Sequence, residues 1–314
     1  MSKLRQAAGE YLQLRRQLGY QLRGVDRVLQ AFVAFADREG FSHVTVDLAL
    51  RWAQQPSGVQ PATWAWRLRV VRRFAVWLSA SDRRTEVPPA GLLPCRYRRR
   101  RPYIYSDAEI DDLVRAADRL PSAAGLKGRT YAAIFGLLAV TGMRVSEVLA
   151  LDREDVDLDE GVLRIRRAKF GKSRLVAVHE STRQALADYA RERDRVVNQP
   201  AAVAFFLSEG GSRVTGWATR YNFAKVSRAV GLRAAAEGRR HGRGPRLHDM
   251  RHRFAVCVLL NWYRAGVDVE REVPKLATYL GHVHVNETYW YLEAVPELLE
   301  LATRRLESVK EVKP

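Results

Sequence analysis

LGHVHVNETYWYLEAVP, residues 280–296, places His282, His284, Glu287 and three consecutive aromatics, Tyr289, Trp290 and Tyr291, between a glycine and a proline. The aromatics could be core filler, or one tyrosine could be a nucleophile. Gly281 suits the left-handed position that ends a helix, so His282 falls just past a helix end. Tyr289 and Tyr291 are two apart, and on a helix such residues point roughly opposite ways. Only one of them can enter a site. The rest of the chain decides which reading holds.

Three more stretches place phosphate-competent side chains at unusual positions. In TGMRVSEVLAL, residues 141–151, Gly142 breaks one helix and Arg144 opens the next. The helix dipole disfavours an arginine there, unless an anion sits at the same N–H groups. In GVLRIRRAKFGKSRLVAVH, residues 161–179, two alternating runs flank a turn with Gly171, which predicts a β-hairpin. Lys169 and Lys172 lie in that turn; a turn lysine is ordinarily solvated, but it can also project into a neighbouring groove. In LHDMRHRFAVCVLL, residues 247–260, His248 and Arg251 share a helix face and can reach two oxygens of one phosphate. His252 stands four after His248, as metal pairs do, but no glutamate between them and no third ligand at metal spacing follows.

Charge points the same way. The chain carries 53 Lys and Arg against 35 Asp and Glu, a net of +18. Residues 1–105 hold 19 basic and 7 acidic residues, so the excess is concentrated there. A polyanionic partner explains this most simply, and arginine grips phosphate with a planar fork. A GC-rich coding bias is the blander explanation. No run approaches the ~18 apolar residues of a membrane span, the N-terminus lacks a secretory h-region, and two cysteines cannot build a disulfide framework.

Helical periodicity fills residues 1–82. Residues 62–78 put Trp64, Leu68, Val71, Ala75 and Leu78 on one stripe, with Arg69, Arg72 and Arg73 off it. Those arginines are either solvated surface or a row of cations offered to a polyanion. EVPPAGLLPCRYRRRRP, residues 86–102, has four prolines and five arginines (Arg96, Arg98, Arg99, Arg100, Arg101) and reads as an extended basic linker. Ser106 and Glu109 form a capping box that opens the second domain. Helices are expected at about 107–119, 127–141, 181–194, 215–230, 247–265, one ending at Gly281, and 296–308, with a third short strand at 204–208.

Taken in order, these boxes resemble the tyrosine recombinase (phage integrase) family. TGMRVSEVLAL resembles its first arginine box, RRAKFGKSRLV its hairpin-lysine segment, LHDMRHRFA its HxxR box, and LGH with a late tyrosine its terminal box. The stretch from Arg251 to His282 is longer than in compact members and contains Pro274. The resemblance implies that Arg144 and Arg251 grip the scissile phosphate, and that His248 and His282 hydrogen-bond to it and move protons. It implies Lys169 as the acid for the departing 5′ oxygen, with Lys172 the competitor, and Glu147 as a support. The family's nucleophile follows its histidine by nine residues, which gives Tyr291 rather than Tyr289. Lys172 and Arg174 are expected on DNA beside Arg69, Arg72, Arg73 and the linker arginines.

The fold so implied is mainly α with a small antiparallel β-sheet in the C-terminal domain, a two-domain DNA clamp. Residues 1–85 would be a helical core-binding (SAM-like) domain, 86–104 the linker, 105–295 the catalytic domain, and 296–314 a helix that docks on a neighbouring subunit. The implied partner is duplex DNA at specific sites, with a free monomer, a homotetramer on paired sites, and room for accessory or sibling recombinases. No cofactor, metal or membrane is implied, and the compartment would be the bacterial cytoplasm at the nucleoid. The implied activity is integration or excision of a mobile element. A type IB topoisomerase shares this catalytic logic, and a DNA-binding regulator could keep the fold without catalysis.

The chemistry of such a set follows from elementary principles. A phosphodiester is anionic and repels nucleophiles, and attack concentrates charge on its non-bridging oxygens. Guanidiniums and imidazoles are preorganised donors where that charge grows. A phenol, with an ordinary pKa of about 10, is a weak nucleophile until its surroundings favour the phenolate. The leaving alkoxide needs an acid, which a lysine among other cations can supply.

Overall fold

The computed structural model describes residues 2–22, 24–96, 101–166, 173–234, 244–294 and 296–311. The chain divides into two compact units, Met1–Arg100 and Arg101–Pro314. The expected architecture is found, mainly helical with one small antiparallel sheet.

In the first unit, α1 (Lys3–Gln17), α2 (Val25–Arg38), α3 (Val46–Gln54) and α4 (Pro61–Leu78) pack around one apolar core. The starts are set locally. Ser2 and Thr45 accept N–H groups of the first turns of α1 and α3, and Pro61 opens α4, where its missing N–H costs nothing. Leu68, Val71, Ala75 and Leu78 of the expected stripe are buried, joined by Phe74, while Trp64 is only half-buried. Its indole donates to the Pro56 carbonyl at 2.9 Å instead.

The expected linker begins later than its prolines suggest. Val87 and Leu93 pack on the core of the first unit. The Glu86 N–H donates to the Val44 carbonyl at 2.8 Å, and its carboxylate accepts the Val46 N–H at 2.7 Å. Proline ended the periodicity there without freeing the chain from the core.

The second unit opens with α5 (Asp107–Asp118), started by the Ser106–Glu109 capping box. Helix α6 (Leu126–Thr141) is apolar nearly all round and runs through the centre against α5. After the single turn α7 (Val145–Val148) come β1 (Val156–Asp157), β2 (Val162–Ile165) and β3 (Arg174–Ala177), antiparallel in that order. Leu163 pairs with Val176 and Ile165 with Arg174. Leu163, Ile165 and Val176 face the core, as a period of two requires. The third strand is therefore Val156–Asp157, not 204–208. The latter segment makes only isolated bridges, Asp152 to Ala204 and Leu207 to Arg213, while burying Phe205 and Phe206. A two-residue strand is too short to show alternation.

Helices α8 (Glu180–Val196), α9 (Gly216–Ala229), α10 (Leu247–Arg264), α11 (Val269–Leu280), α12 (Asn286–Ala294) and α13 (Pro296–Glu311) complete the unit. Parts of α10, α11, α12 and α13 share a second apolar cluster containing Val256, Leu259, Leu276, Tyr291 and Leu298. Leu298 of α13 is fully buried on its own chain, and Arg264 of α10 pairs with Glu297 at 2.5 Å. Helix α13 is thus anchored at its start on α10 of the same chain.

Candidate active site

The site is organised by the end of α11. Gly281 adopts φ 68° and closes a Schellman arrangement: its N–H donates to the Thr278 carbonyl, and the His282 N–H to the Ala277 carbonyl, each at 2.9 Å. The next three carbonyls receive guanidiniums. Arg174 Nε donates to Tyr279 O at 2.7 Å, Arg251 Nη2 to Leu280 O at 2.6 Å, and Arg144 Nη2 to Gly281 O at 2.7 Å. Three arginines from β3, α10 and the start of α7 thus meet on consecutive residues of one helix end. The negative end of the helix dipole suits them.

A side chain at Gly281 would break this contact. A Cβ there would lie 2.8 Å from Arg174 Nη1 and 3.3 Å from Arg144 Nη1. Glycine is needed both for the positive φ and for the approach of the guanidiniums.

Glu147 ties two of the arginines together. Its carboxylate is almost wholly buried and accepts Arg144 Nη1 at 2.8 Å, the Arg144 backbone N–H at 2.9 Å, and Arg174 Nη1 and Nη2 at 3.2 and 2.8 Å. Burial pushes its pKa up, but the hydrogen bonds from Arg174 and Arg144 prevail and hold it below the ordinary glutamate value. Arg251 is buried, with Nη1 on the Gly142 carbonyl at 2.8 Å. Burial lowers it to about 10, so it stays a cation at neutral pH. Three guanidiniums against one carboxylate leave a positive cluster suited to an anion.

The two expected histidines border this cluster. His282 Nδ1 lies 2.6 Å from the hydroxyl of fully buried Thr288. Burial first, then Arg251 and Arg144, bring its pKa down to about 3, so its ring is neutral. His248, at the exposed start of α10, is also lowered, by the protein around its ring and by Arg251. Tyr291 is buried, its ring near-parallel to His282 with centroids 6.1 Å apart and tilted against His252 at 5.4 Å. Tyr289, two residues earlier, is 39% exposed. Helix α12 therefore sends one tyrosine inward and the other outward. Trp290 packs on His252 at 5.3 Å.

Arg144, Glu147, His248, Arg251, His282 and Tyr291 thus come together, and no group of three His, Cys, Asp or Glu among the described residues could hold a metal ion. Lys169, Lys172, Arg98, Arg99 and Arg100 lie outside the described residues. Arg174, expected on DNA, is instead turned inward onto Glu147 and Tyr279; its place at the start of β3 puts it beside the end of α11. Arg69, Arg73, Arg96 and Arg101 are exposed and Arg72 half-buried; Arg69, Arg72 and Arg73 line a cleft with Leu92 and Cys95 in the first unit.

Thr288 and His252 are new members of the site. Thr288 stands three before Tyr291, so one turn of α12 links the support of His282 to the tyrosine. His252 stands one residue after Arg251 and packs edge-on against His248 at 4.7 Å. Its i+4 spacing from His248 signalled a contact, which the structure shows as one between the two rings.

Residues 105–297 match the phage integrase family. The putative integrase/recombinase y4rB of Sinorhizobium fredii (strain NBRC 101917 / NGR234) is 48% identical, covering 98% of both chains. The tyrosine recombinase XerD of Bradyrhizobium diazoefficiens is 29% identical over 81% of this chain and 78% of that one. Among solved structures, the Tn1549 transposon integrase in complex with transposon right end DNA has a similar fold, with a TM-score of 0.63 over 99% of this chain and 100% of that one at 15% identity. The conjunction of arginine cluster, histidines and inward tyrosine with these matches places the chain in the phage integrase family, the tyrosine recombinases.

Proposed function

We propose that this protein cuts and rejoins duplex DNA at specific sites through a covalent bond between Tyr291 and a 3′ phosphate, and that it does so to integrate or excise a mobile element. One observation carries the reading: Arg144 and Arg251 are fixed by adjacent carbonyls, one residue before His282, with Tyr291 buried against that imidazole. Each guanidinium has five N–H donors, so both forks keep donors for a phosphate. The y4rB and Tn1549 likenesses favour a mobile-element role.

In this mechanism the Tyr291 oxygen attacks phosphorus and the P–O5′ bond breaks. Arg144 and Arg251 take up the charge that builds on the non-bridging oxygens. His248 and His282, uncharged before DNA binds, donate to the phosphate and pass on the phenol proton. The 5′ oxygen leaves as a hydroxyl, with Lys169 as its acid. A free 5′ hydroxyl of a second strand reverses the step and completes exchange. On two paired sites four protomers carry out the two rounds.

The test uses singly nicked duplexes tiled across the DNA that flanks the coding locus, with EDTA present. A covalent protein–DNA band that Tyr291→Phe abolishes supports the reading. Sequence-selective binding without any covalent band would make the chain a silent regulator. Relaxation of supercoils by monomers at no particular site would make it a topoisomerase.

A further inference from the structure

The charge of Glu147 poses a problem for the site. A carboxylate bound to Arg144 neutralises the guanidinium that must attract the phosphate, and repels the phosphate itself. We propose that Arg174 is the positioning residue that solves it, by taking up most of the charge of Glu147 so that Arg144, although bonded to Oε1, keeps positive charge and spare donors for substrate. The proposal rests on the recombinase reading above and concerns the same site.

The geometry supports this division of labour. Arg174 donates to both carboxylate oxygens, at 3.2 and 2.8 Å, whereas Arg144 reaches only Oε1 with its side chain. Its third nitrogen is anchored on Tyr279 O at 2.7 Å, so each of its three nitrogens is bonded to the protein. The side chain is 12% exposed, against 20% for Arg144. Arg144 is thus the more open of the two partners of Glu147. Its hydrogen bonds to Glu147 and Tyr279 O hold Arg174 in place. Charge, rather than shape alone, makes Arg174 necessary, and this separates the proposal from a purely structural role.

The experiment measures single-turnover covalent cleavage on the nicked duplex that the wild-type protein cuts best, and duplex affinity by fluorescence anisotropy. Arg174→Ala is expected to slow cleavage about ten- to a hundredfold, as loss of a charged hydrogen-bonding partner does, with affinity changed less than about threefold. Adding Glu147→Gln to Arg174→Ala removes the uncompensated charge and is expected to recover about tenfold of the rate. Arg174→Lys, which keeps the charge without the fork, should be intermediate. Thermal unfolding by circular dichroism checks each fold, and Arg174→Lys against Arg174→Gln gives the same charge comparison if the alanine variant does not fold. A double variant no faster than Arg174→Ala, with lysine no better than glutamine, would overturn the charge role. Absence of cleavage by the wild-type protein on every duplex would instead overturn the recombinase reading.

Discussion

Gly281→Ala separates two costs that glycine at this position avoids. The first is conformational. A residue with a Cβ at φ 68° costs about 1–2 kcal/mol in the left-handed region. The second is steric and local to the site: the new Cβ would approach Arg174 Nη1 to 2.8 Å and Arg144 Nη1 to 3.3 Å. Both guanidiniums are held at several points, so relief displaces them from their carbonyls or from Glu147. Loss of one charge-assisted bond worth about 1.5–3 kcal/mol should slow cleavage by roughly 10- to 150-fold, since each ~1.4 kcal/mol is tenfold. Gly266→Ala supplies the reference. Gly266 has φ 69° just past α10, and a Cβ there would point into open space, with no atom within 4 Å. Urea unfolding should show Gly266→Ala losing about 1–2 kcal/mol and Gly281→Ala losing more, by the bonds its Cβ disturbs. Single-turnover cleavage, measured where both are folded, should fall only in Gly281→Ala. Equal cleavage by the two variants would refute the placement of the arginines on the end of α11.

Thr288→Val keeps the shape but takes the partner from His282 Nδ1, now at 2.6 Å. A buried nitrogen left unsatisfied costs about 1–3 kcal/mol, and single-turnover cleavage should drop about tenfold or more. The pKa of His282 lies near 3 in the fold against 6.5 ordinarily, so the unfolded chain binds the proton first. Its contribution therefore destabilises the fold as pH falls from about 6.5 towards 3, and vanishes above 6.5. Urea melts across that window should show His282→Gln less acid-sensitive than the parent, and NMR should find the His282 ring unprotonated at about pH 5 without DNA. Arg69→Ala with Arg73→Ala, both exposed on α4, should make the fall of log affinity with log salt shallower. The slope should drop by about 0.9 for each phosphate that the two arginines neutralise, as anisotropy titrations would show.

Much of this was legible in the residues because local rules coincide with the fold. The Ser106–Glu109 box starts α5, the stripe on α4 is buried, and Gly281 ends α11 with His282 just beyond. The ordered boxes also placed Arg144, His248, Arg251, His282 and Tyr291 in one site. What escaped depends on long-range contacts. The inward turn of Arg174 follows from β3 lying beside α11, residues more than a hundred positions apart. The anchoring of Glu86 needs Val44 and Val46 in place, and proline content carries no such information. Leu298 faces α10 because that helix has an apolar side to cover, which the amphipathic pattern of α13 does not reveal. Thr288 became meaningful only once α12 had put its hydroxyl against an imidazole.

The most direct measurement is identification of the residue that carries DNA after cleavage. The covalent adduct formed on a nicked duplex is digested with protease and nuclease, and the nucleotide-bearing peptide is sequenced by mass spectrometry. Attachment through the 3′ phosphate to Tyr291, retained in Tyr289→Phe, is the predicted result. A modified Tyr289, a modified residue elsewhere, or attachment through a 5′ phosphate would contradict the placement of the nucleophile against His282 and the arginine cluster.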